Sequence, residues 1–405
     1  MKVSRTEFVD AYDMRLCVRH WGDESAPKLF MIHGWMDISA SFQFVVDAFK
    51  RDWHVIAPDM RGFGHSGWAK GGYWFPDYLA DLDELMPEAA GEDWKELYSE
   101  KCLEQGNQLT GGDTKMLVLT NSGSMVGFYN AALLKEIGCE VPKTFEEYKA
   151  VAEAFKAKYP DKYVSVFAGK DAWVVDEMML TVLGQQGDYY NKWRYEEAPV
   201  DSPEYKQAID GLKKYFDEGI FSPDVLDLDY ASATEEFTNG NALIYYMGSW
   251  EAPLLSNKLR EGNGIELENV GAMALPVAEE GGQLTVRSYI DSGIGVVDYS
   301  EKKEAAAKFV AYLTVGEGAD IFGKQLTGTS AKKDFVVDET LFDTEESKAG
   351  WDTVNELINT ATADRNNVSG YSDVEGAAVQ SVLNGSATTE DVLKDLQKEW
   401  TSGKY

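Results

Sequence analysis

Residues 115–148 read KMLVLTNSGSMVGFYNAALLKEIGCEVPKTFEEY, and this stretch decides the fold. Its first part, residues 116–119, is a short apolar run that predicts a strand. Near its end, Thr144 can accept a hydrogen bond from the first turn of a helix, and Glu147 completes the capping box. We therefore expect a helix from this threonine to about Lys158. A short strand followed by a long capped helix is typical of an α/β protein.

Helices and short strands continue to alternate along the rest of the chain. Ser202 followed by Pro203 predicts a helix start, and Gly219 predicts its end. The other predicted helices span residues 301–313 and 389–400. The predicted strands between the helices span residues 242–247, 271–275 and 293–297. This alternation predicts an α/β fold for the region.

Four motifs resemble, in the same order, the solute-binding proteins of bacterial ABC importers for sugars. They are the stretch of residues 115–148, FTNGNALIYYMGSW at residues 237–250, GAMALP at residues 271–276 and EAAAKFVAYL at residues 304–313. The resemblance covers about residues 76–405. It implies a protein that catalyses nothing, holds a carbohydrate, in particular an oligosaccharide, and presents it to an ABC permease.

The fold implied by this resemblance is α/β, two-lobed and similar to the periplasmic binding proteins, with the ligand in the cleft between the lobes. The second lobe then spans about residues 121–268, and about residues 269–325 return to the first lobe. C-terminal helices fill about residues 326–405. The first lobe is incomplete, because a different sequence stands where the family has its opening strands.

Sugar sites need flat apolar faces for the C–H patches of a sugar ring and a few oriented polar groups for its hydroxyls. The resemblance places Trp250 at the mouth of the cleft, where it is the first candidate for stacking on a sugar. Trp173, before a predicted helix, is the second candidate. Tyr289 and Asp291, in a predicted loop, complete the set of candidate ligand-binding residues. A position in the core is the alternative for each aromatic residue, and we predict no cofactor and no metal site.

The formal net charge of −31 is distributed unevenly along the chain. Residues 1–75 hold 9 Lys and Arg against 9 Asp and Glu, so the whole excess of negative charge falls on residues 76–405. This charge repels nucleic acid and anionic membranes and leaves neutral solutes as partners. Asp176 and Glu177 match a glycosidase acid pair by residue type. With 69 Asp and Glu side chains such neighbours arise by chance, so we expect this pair on a solvated face.

Residues 1–75 follow a different pattern, with the predicted order β-β-β-α-β. HGWMD at residues 33–37 and VIAPDMRGFGHS at residues 55–66 resemble the start of the α/β-hydrolase fold, and this resemblance extends to about residue 85. A serine hydrolase also needs a G-x-S-x-G elbow and a later histidine as base. The sequence has no such elbow, and no histidine follows His65. We therefore expect no hydrolase activity.

The N-terminal sequence MKVSRTEFVDAYDMRLCV has charged residues where a signal peptide has an apolar run. As written, the chain is therefore expected in the cytoplasm, whereas the resemblance to importer components implies an extracytoplasmic, membrane-associated protein. We expect a monomer that contacts a sugar and an ABC permease but no nucleic acid. Two alternatives remain: an α/β-hydrolase enzyme acting on esters or similar bonds, and a chimeric chain with no intact function.

Overall fold

The computed structural model describes residues 1–11, 14–33, 38–60, 62–67, 79–290, 293–361, 363–365, 368 and 370–404. The chain divides into two compact units, Met1–Leu79 and Ala80–Tyr405. The strands are β1 (Ser4–Ala11), β2 (Met14–Trp21), β3 (Lys28–Phe30), β4 (His54–Pro58), β5 (Leu117–Val118), β6 (Thr120–Ser124), β7 (Val126–Asn130), β8 (Tyr163–Val166), β9 (Ala242–Met247), β10 (Val270–Met273), β11 (Arg287–Ile290), β12 (Gly293–Ile294) and β13 (Thr329–Ser330).

The helices are α1 (Gln43–Ala48), α2 (Leu82–Ala90), α3 (Glu100–Leu109), α4 (Ala131–Glu136), α5 (Phe145–Lys158), α6 (Ala172–Gln185), α7 (Tyr189–Glu196), α8 (Pro203–Asp217), α9 (Tyr230–Thr238), α10 (Asn257–Gly262), α11 (Lys303–Thr314), α12 (Glu317–Gly323), α13 (Glu345–Thr360), α14 (Tyr371–Leu383) and α15 (Thr389–Trp400). In the part of the chain that is described, no helix has the length and apolar character needed to cross a membrane.

The Met1–Leu79 unit is a four-stranded sheet in the order β1-β2-β4-β3, with α1 between β3 and β4 in the chain. The hairpin of β1 and β2 is antiparallel, and β3 runs parallel to β4. The predicted order β-β-β-α-β is therefore confirmed. Its core is small, with Trp21, Val46, Val55 and Ala57 buried together.

The Ala80–Tyr405 unit has two separate apolar cores, and each core defines a lobe. The core of the first lobe includes Leu82, Met86, Trp94, Tyr98 and Val310. The larger core of the second lobe includes Phe128, Tyr148, Met178, Tyr246 and Trp351. Helices α13, α14 and α15 all pack into the core of the second lobe. This division confirms the predicted two-lobed α/β architecture.

Each lobe has its own sheet arrangement, and the chain crosses between the lobes where β6 meets β7. The second-lobe sheet has the order β10-β7-β9-β8, while β11-β6-β13 and β12-β5 lie on the side of the first lobe. Met125 alone separates β6 from β7, and this buried residue has a φ of 64°. The strand β10 pairs with β7 in the second-lobe sheet. The chain therefore returns to the first lobe with β11, later than about residue 269, where the return was predicted to begin.

Local signals in the sequence explain where several helices begin. The Thr144 side chain accepts a hydrogen bond from the Glu147 amide at 3.2 Å, and the glutamate side chain bonds back to the cap, which confirms the predicted capping box. Ser202 caps α8, which has Pro203 in its first turn. The predicted helix at residues 389–400 is α15 with the same bounds. These short polar patterns supply hydrogen-bond acceptors for amides that a helix end otherwise leaves without partners.

Helix α14 crosses the start of α6 at very short range. A Cβ atom placed on Gly376 would lie 1.7 Å from the carbonyl oxygen of Ala172 and 2.4 Å from its carbonyl carbon. Real Cβ atoms do not approach backbone atoms this closely, so only glycine fits at this position. The contact fixes the first turn of α6, where the next residue is Trp173.

Helix α7 ends with a residue in the left-handed conformation, and this gives a prediction about stability. Glu197 is exposed and has a φ of 60°, which costs an L-residue free energy that glycine does not lose. We expect Glu197→Gly to raise the free energy of unfolding by roughly 0.5 to 1 kcal/mol, after the greater freedom of glycine in the unfolded chain is included. Urea titration followed by circular dichroism measures the difference.

The matched control is Glu196→Gly, one residue earlier and the last residue of the helix. It should lower the free energy of unfolding, by less than the roughly 1 kcal/mol that glycine costs in a helix interior. If both substitutions lowered stability equally, the left-handed conformation of Glu197 would not be the cause.

Candidate functional site

Two tryptophans from distant parts of the second lobe meet at the surface of the larger unit. Trp173 lies in the first turn of α6, and Trp250 follows β9 in a 3₁₀ turn, Ser249–Leu255. Their ring centroids are 6.3 Å apart and their planes are inclined by 40°. Both indoles pack against the second-lobe core and are partly exposed. The pair therefore offers adjacent apolar faces of the kind that stack on a sugar ring.

The turn that carries Trp250 is attached to the first-lobe side of the unit through one hydroxyl. Ser249 Oγ accepts a hydrogen bond from the Gly123 amide in β6 at 3.0 Å and donates to the Thr327 carbonyl at 3.2 Å. The serine is fully buried. The tryptophan pair thus lies beside the point where the chain crosses between the lobes.

A guanidinium group lies over both indole rings. The Arg365 guanidinium carbon is 5.4 Å from the ring centroid of Trp173 and 5.2 Å from that of Trp250. Its Nε donates to Glu177 Oε1 at 3.3 Å. Glu177 follows Trp173 by one helical turn, so the carboxylate and the ring lie on the same face of α6. The four side chains form one cluster, to which we refer as the Trp–Arg cluster.

The prediction that Asp176 and Glu177 lie on a solvated face is wrong. The two residues are 0% and 2% exposed, respectively. The reason is the helix around them, because α6 is apolar on nearly every side and packs against both α14 and α8. A helix that is apolar all round is a buried helix, and its acids are then held by partners inside the protein.

Further polar side chains surround the Trp–Arg cluster. The Tyr230 hydroxyl donates a hydrogen bond to Glu251, which follows Trp250 in the chain. The Tyr230 amide donates to Asp171 Oδ2 at 2.9 Å, two residues before Trp173. Burial raises the pKa of Glu251, although the hydrogen bond from Tyr230 opposes this change. These hydroxyl and carboxylate groups are of the types that orient sugar hydroxyls.

Asp364, the residue before Arg365, is hydrogen-bonded to side chains from both lobes. Its Oδ1 accepts a hydrogen bond from Gln105 Nε2 in α3 at 2.8 Å. Its Oδ2 accepts from the Tyr195 hydroxyl in α7 at 3.1 Å, and its carbonyl accepts from the buried Arg287 in β11. The chain before Arg365 is therefore held at several points.

The structure brings together two of the four predicted ligand-binding residues. Trp173 and Trp250 are in contact, whereas Tyr289 lies in β11 opposite Ser122 and packs against the first-lobe core. The predicted loop position of Tyr289 is wrong, because β11 pairs with β6 through this residue. Asp291 lies outside the described residues.

Sequence reasoning missed Arg365 and the role of Glu177. The glutamate had a detectable signal, because it follows Trp173 by four residues within an otherwise apolar run that predicts a buried helix. The arginine had no such signal, since it lies 188 residues after Glu177 in the chain.

A second buried acid lies deeper in the second lobe, away from solvent. Glu375 in α14 is 0% exposed, and Asp176, Tyr205, Arg287 and Glu177 lie near its carboxyl group. Burial raises the pKa of Glu375 to about 7, although the neighbouring Asp176 and Tyr205 and the arginine charge lower it. This carboxyl group therefore keeps its proton well above the pH at which an exposed glutamate loses it.

The hydrolase-like loop of the first unit is held by its own polar groups. Ser66 Oγ donates to the Asp59 carbonyl at 2.6 Å and accepts from the Cys17 amide at 2.9 Å. The Asp59 carboxylate accepts from the amides of Ser39 and His65 at 2.8 and 2.9 Å. Burial opposes ionisation of this carboxyl group, but these hydrogen bonds prevail and lower its pKa. Ser66 thus closes the loop, as expected for a loop serine.

A family model assigns the larger part of the chain. The model for bacterial extracellular solute-binding proteins matches residues 55–320. The chain belongs to this family. The name of the family describes the binding of a solute.

Comparison with known proteins extends this assignment. The chain is 24% identical to the multiple sugar-binding protein of Streptococcus mutans over 194 residues, which is 46% of this chain and 44% of that protein. The match thus spans less than half of the relative's length. A solved structure of T. maritima MalE3 with bound maltose is similar with a TM-score of 0.64 and 17% identity, covering 93% of this chain and 99% of that one. This similarity shows the solute-binding-protein fold.

A short similarity to a hydrolase is confined to a small part of the chain. The serine hydrolase-like protein of Danio rerio is 36% identical over 68 residues, covering 16% of this chain and 21% of that protein. A match of this length leaves out most of the relative's chain, so it does not show that this chain belongs to a hydrolase family.

Proposed function

We propose that the Ala80–Tyr405 unit binds a carbohydrate, in particular an oligosaccharide, in the cleft between its two lobes, as the binding component of an ABC importer. The observation that carries the proposal is the Trp173–Trp250 pair beside the crossing between the lobes. Adjacent indole faces with polar groups around them are the chemistry that recognises sugar rings. The sugar-binding relative and the maltose-bound structure support the same ligand class.

Thermal unfolding in the presence of sugars tests the proposal. We expect one or more of maltose, raffinose, xylobiose and chitobiose to raise the melting temperature of the full chain. A ligand at about 100 times its Kd adds about 2.7 kcal/mol to the free energy of unfolding. If none of these sugars changed the melting temperature, the proposed sugar binding would be contradicted. The alternative of a chimeric chain with no intact function would then be favoured.

Removal of one indole gives a sharper prediction. Trp250→Ala should weaken binding of the best sugar in this panel about thirtyfold, which corresponds to about 2 kcal/mol, because a buried aromatic contact is lost. Isothermal titration calorimetry measures the affinity, and circular dichroism establishes that the variant is folded. The control is Phe309→Ala on α11, a residue that is 56% exposed, for which we expect the same affinity as in the unaltered chain. Equal losses in both variants would mean that Trp250 has no special part in binding.

The partners follow from the proposed role. We infer that the chain works outside the cytoplasmic membrane as a monomer and delivers its sugar to an ABC permease. The family name, with its word extracellular, supports the location. Light scattering after size-exclusion chromatography measures the oligomeric state, and a mass of two chains would contradict the monomer.

An esterase assay tests the alternative that residues 1–75 form a working hydrolase. We expect no turnover of p-nitrophenyl acetate above the rate without protein, since the Ser66 hydroxyl is already hydrogen-bonded to the Asp59 carbonyl and the Cys17 amide. A burst of p-nitrophenol that Ser66→Ala removes would overturn this expectation.

A further inference from the structure

The two indole faces at the candidate site are already covered by a side chain of the same protein. The guanidinium carbon of Arg365 is within 5.4 Å of both ring centroids, the distance at which a cation is bound to an aromatic face. The guanidinium therefore lies over both rings, where a stacked ligand would also lie.

A carboxylate holds the guanidinium in this position. Glu177 Oε1 is 3.3 Å from Arg365 Nε, and the glutamate is buried. Attraction between opposite charges is stronger in a buried site than in water. Because Glu177 and Trp173 lie on one face of α6, the same helix supplies both the anchor and one of the rings.

A sugar ring needs the same space. It stacks by laying its C–H groups against an aromatic face, within the distance that the guanidinium now occupies. We propose that Arg365 is a built-in occupant of the Trp173–Trp250 pair and that a sugar ring displaces it on binding. The inference rests on the proposed function, because it assigns a role to Arg365 in that same site.

The backbone near Arg365 suits such an exchange. The neighbouring Asp364 is held by Gln105 from α3 and by Tyr195 from α7, so the chain stays in place while the arginine side chain turns away. The measured affinity for a sugar is then the difference between the contacts that the sugar makes and those that the guanidinium gives up. Arg365 thereby sets how strongly a sugar must bind the indoles before it is retained.

Calorimetry on a substituted chain tests the displacement. Arg365→Ala should bind the best sugar among maltose, raffinose, xylobiose and chitobiose about five to ten times more tightly than the unaltered chain. Arg51→Ala is the matched control, because Arg51 also lies over an indole ring, that of Trp53 in the Met1–Leu79 unit, at 4.6 Å. It should leave the affinity unchanged. Thermal unfolding establishes that both variants are folded.

A measurement without sugar tests the contact itself. In ¹H–¹⁵N spectra, the indole N–H signals of Trp173 and Trp250 are assigned with the variants Trp173→Phe and Trp250→Phe. Both signals should shift in Arg365→Ala and stay unchanged in Arg51→Ala. If neither signal shifted, Arg365 would not lie on the rings in solution and the inference would be overturned.

The outcomes separate this inference from the proposed function. Weaker or unchanged sugar binding by Arg365→Ala, with normal binding by the unaltered chain, would overturn displacement and leave the sugar-binding function intact. Failure of both chains to bind any sugar of the panel would remove the proposed function, and displacement with it.

Discussion

Gly376→Ala should lower the free energy of unfolding of the larger unit by roughly 3 kcal/mol, at the upper end of what one extra methyl group costs in a packed interior. The new Cβ would lie 1.7 Å from the carbonyl oxygen of Ala172, which is backbone and has no rotamer to change. The two helices α6 and α14 must separate to relieve this overlap. Because α6 begins at this contact, we also expect Trp173 to move and sugar affinity to fall.

Urea titration of the full chain, followed by circular dichroism, measures the loss of stability. The matched control is Gly262→Ala at the exposed end of α10, where an added Cβ meets no atom within 4 Å. We expect this control to be neutral or slightly stabilising, since alanine favours a helix over glycine. A loss below about 0.5 kcal/mol for Gly376→Ala would mean that the helices have room to move apart.

The stability of the larger unit should also depend on pH through Glu375. Burial raises the pKa of Glu375 to about 7, against an ordinary value of 4.5. Between these two pH values the folded chain keeps a proton that the unfolded chain releases. A raised pKa for an acid therefore contributes stability that is present below about pH 4.5 and is lost as the pH rises through about 7.

The free energy of unfolding should therefore fall over this pH range, because each unit by which the folded pKa exceeds the unfolded pKa corresponds to about 1.4 kcal/mol. Glu375→Gln carries no charge at any pH, so the difference in unfolding free energy between this variant and the unaltered chain isolates the effect. That difference should grow in favour of the variant from pH 4.5 to pH 7. An exposed acid, Glu301, provides the control substitution Glu301→Gln, which should show no such trend. Parallel curves for Glu375→Gln and the unaltered chain would contradict the assignment.

Much of the fold could be predicted because its signals are local. The hydrogen-bond partners at the start of α5 and α8 lie within a few residues of each other, so the sequence reveals them directly. The strand β10 was assigned to the wrong lobe for the opposite reason. Its partner, β7, lies about 140 residues away, and no pattern within residues 271–276 reports which sheet they join.

The candidate site likewise contains residues that local sequence patterns indicated and residues that they did not. Trp250 was found because its neighbours Gly248 and Ser249 form a recognisable motif, and Trp173 because it precedes a helix. Glu177 was misassigned because the abundance of acids in the chain favoured a solvated face, whereas the apolar residues around it determine its burial. Arg365 depends on tertiary structure alone, since it meets Glu177 across 188 positions of sequence.

The single residue between β6 and β7 has a consequence for the length of ligand that the unit can hold. Met125 has one pair of backbone dihedral angles, so at this crossing β6 and β7 can rotate relative to each other but stay one residue apart. If a sugar binds at the Trp–Arg cluster, as we propose, the extra units of a longer oligosaccharide should extend away from this crossing, and recognition should concentrate on the few units nearest the turn that Ser249 holds.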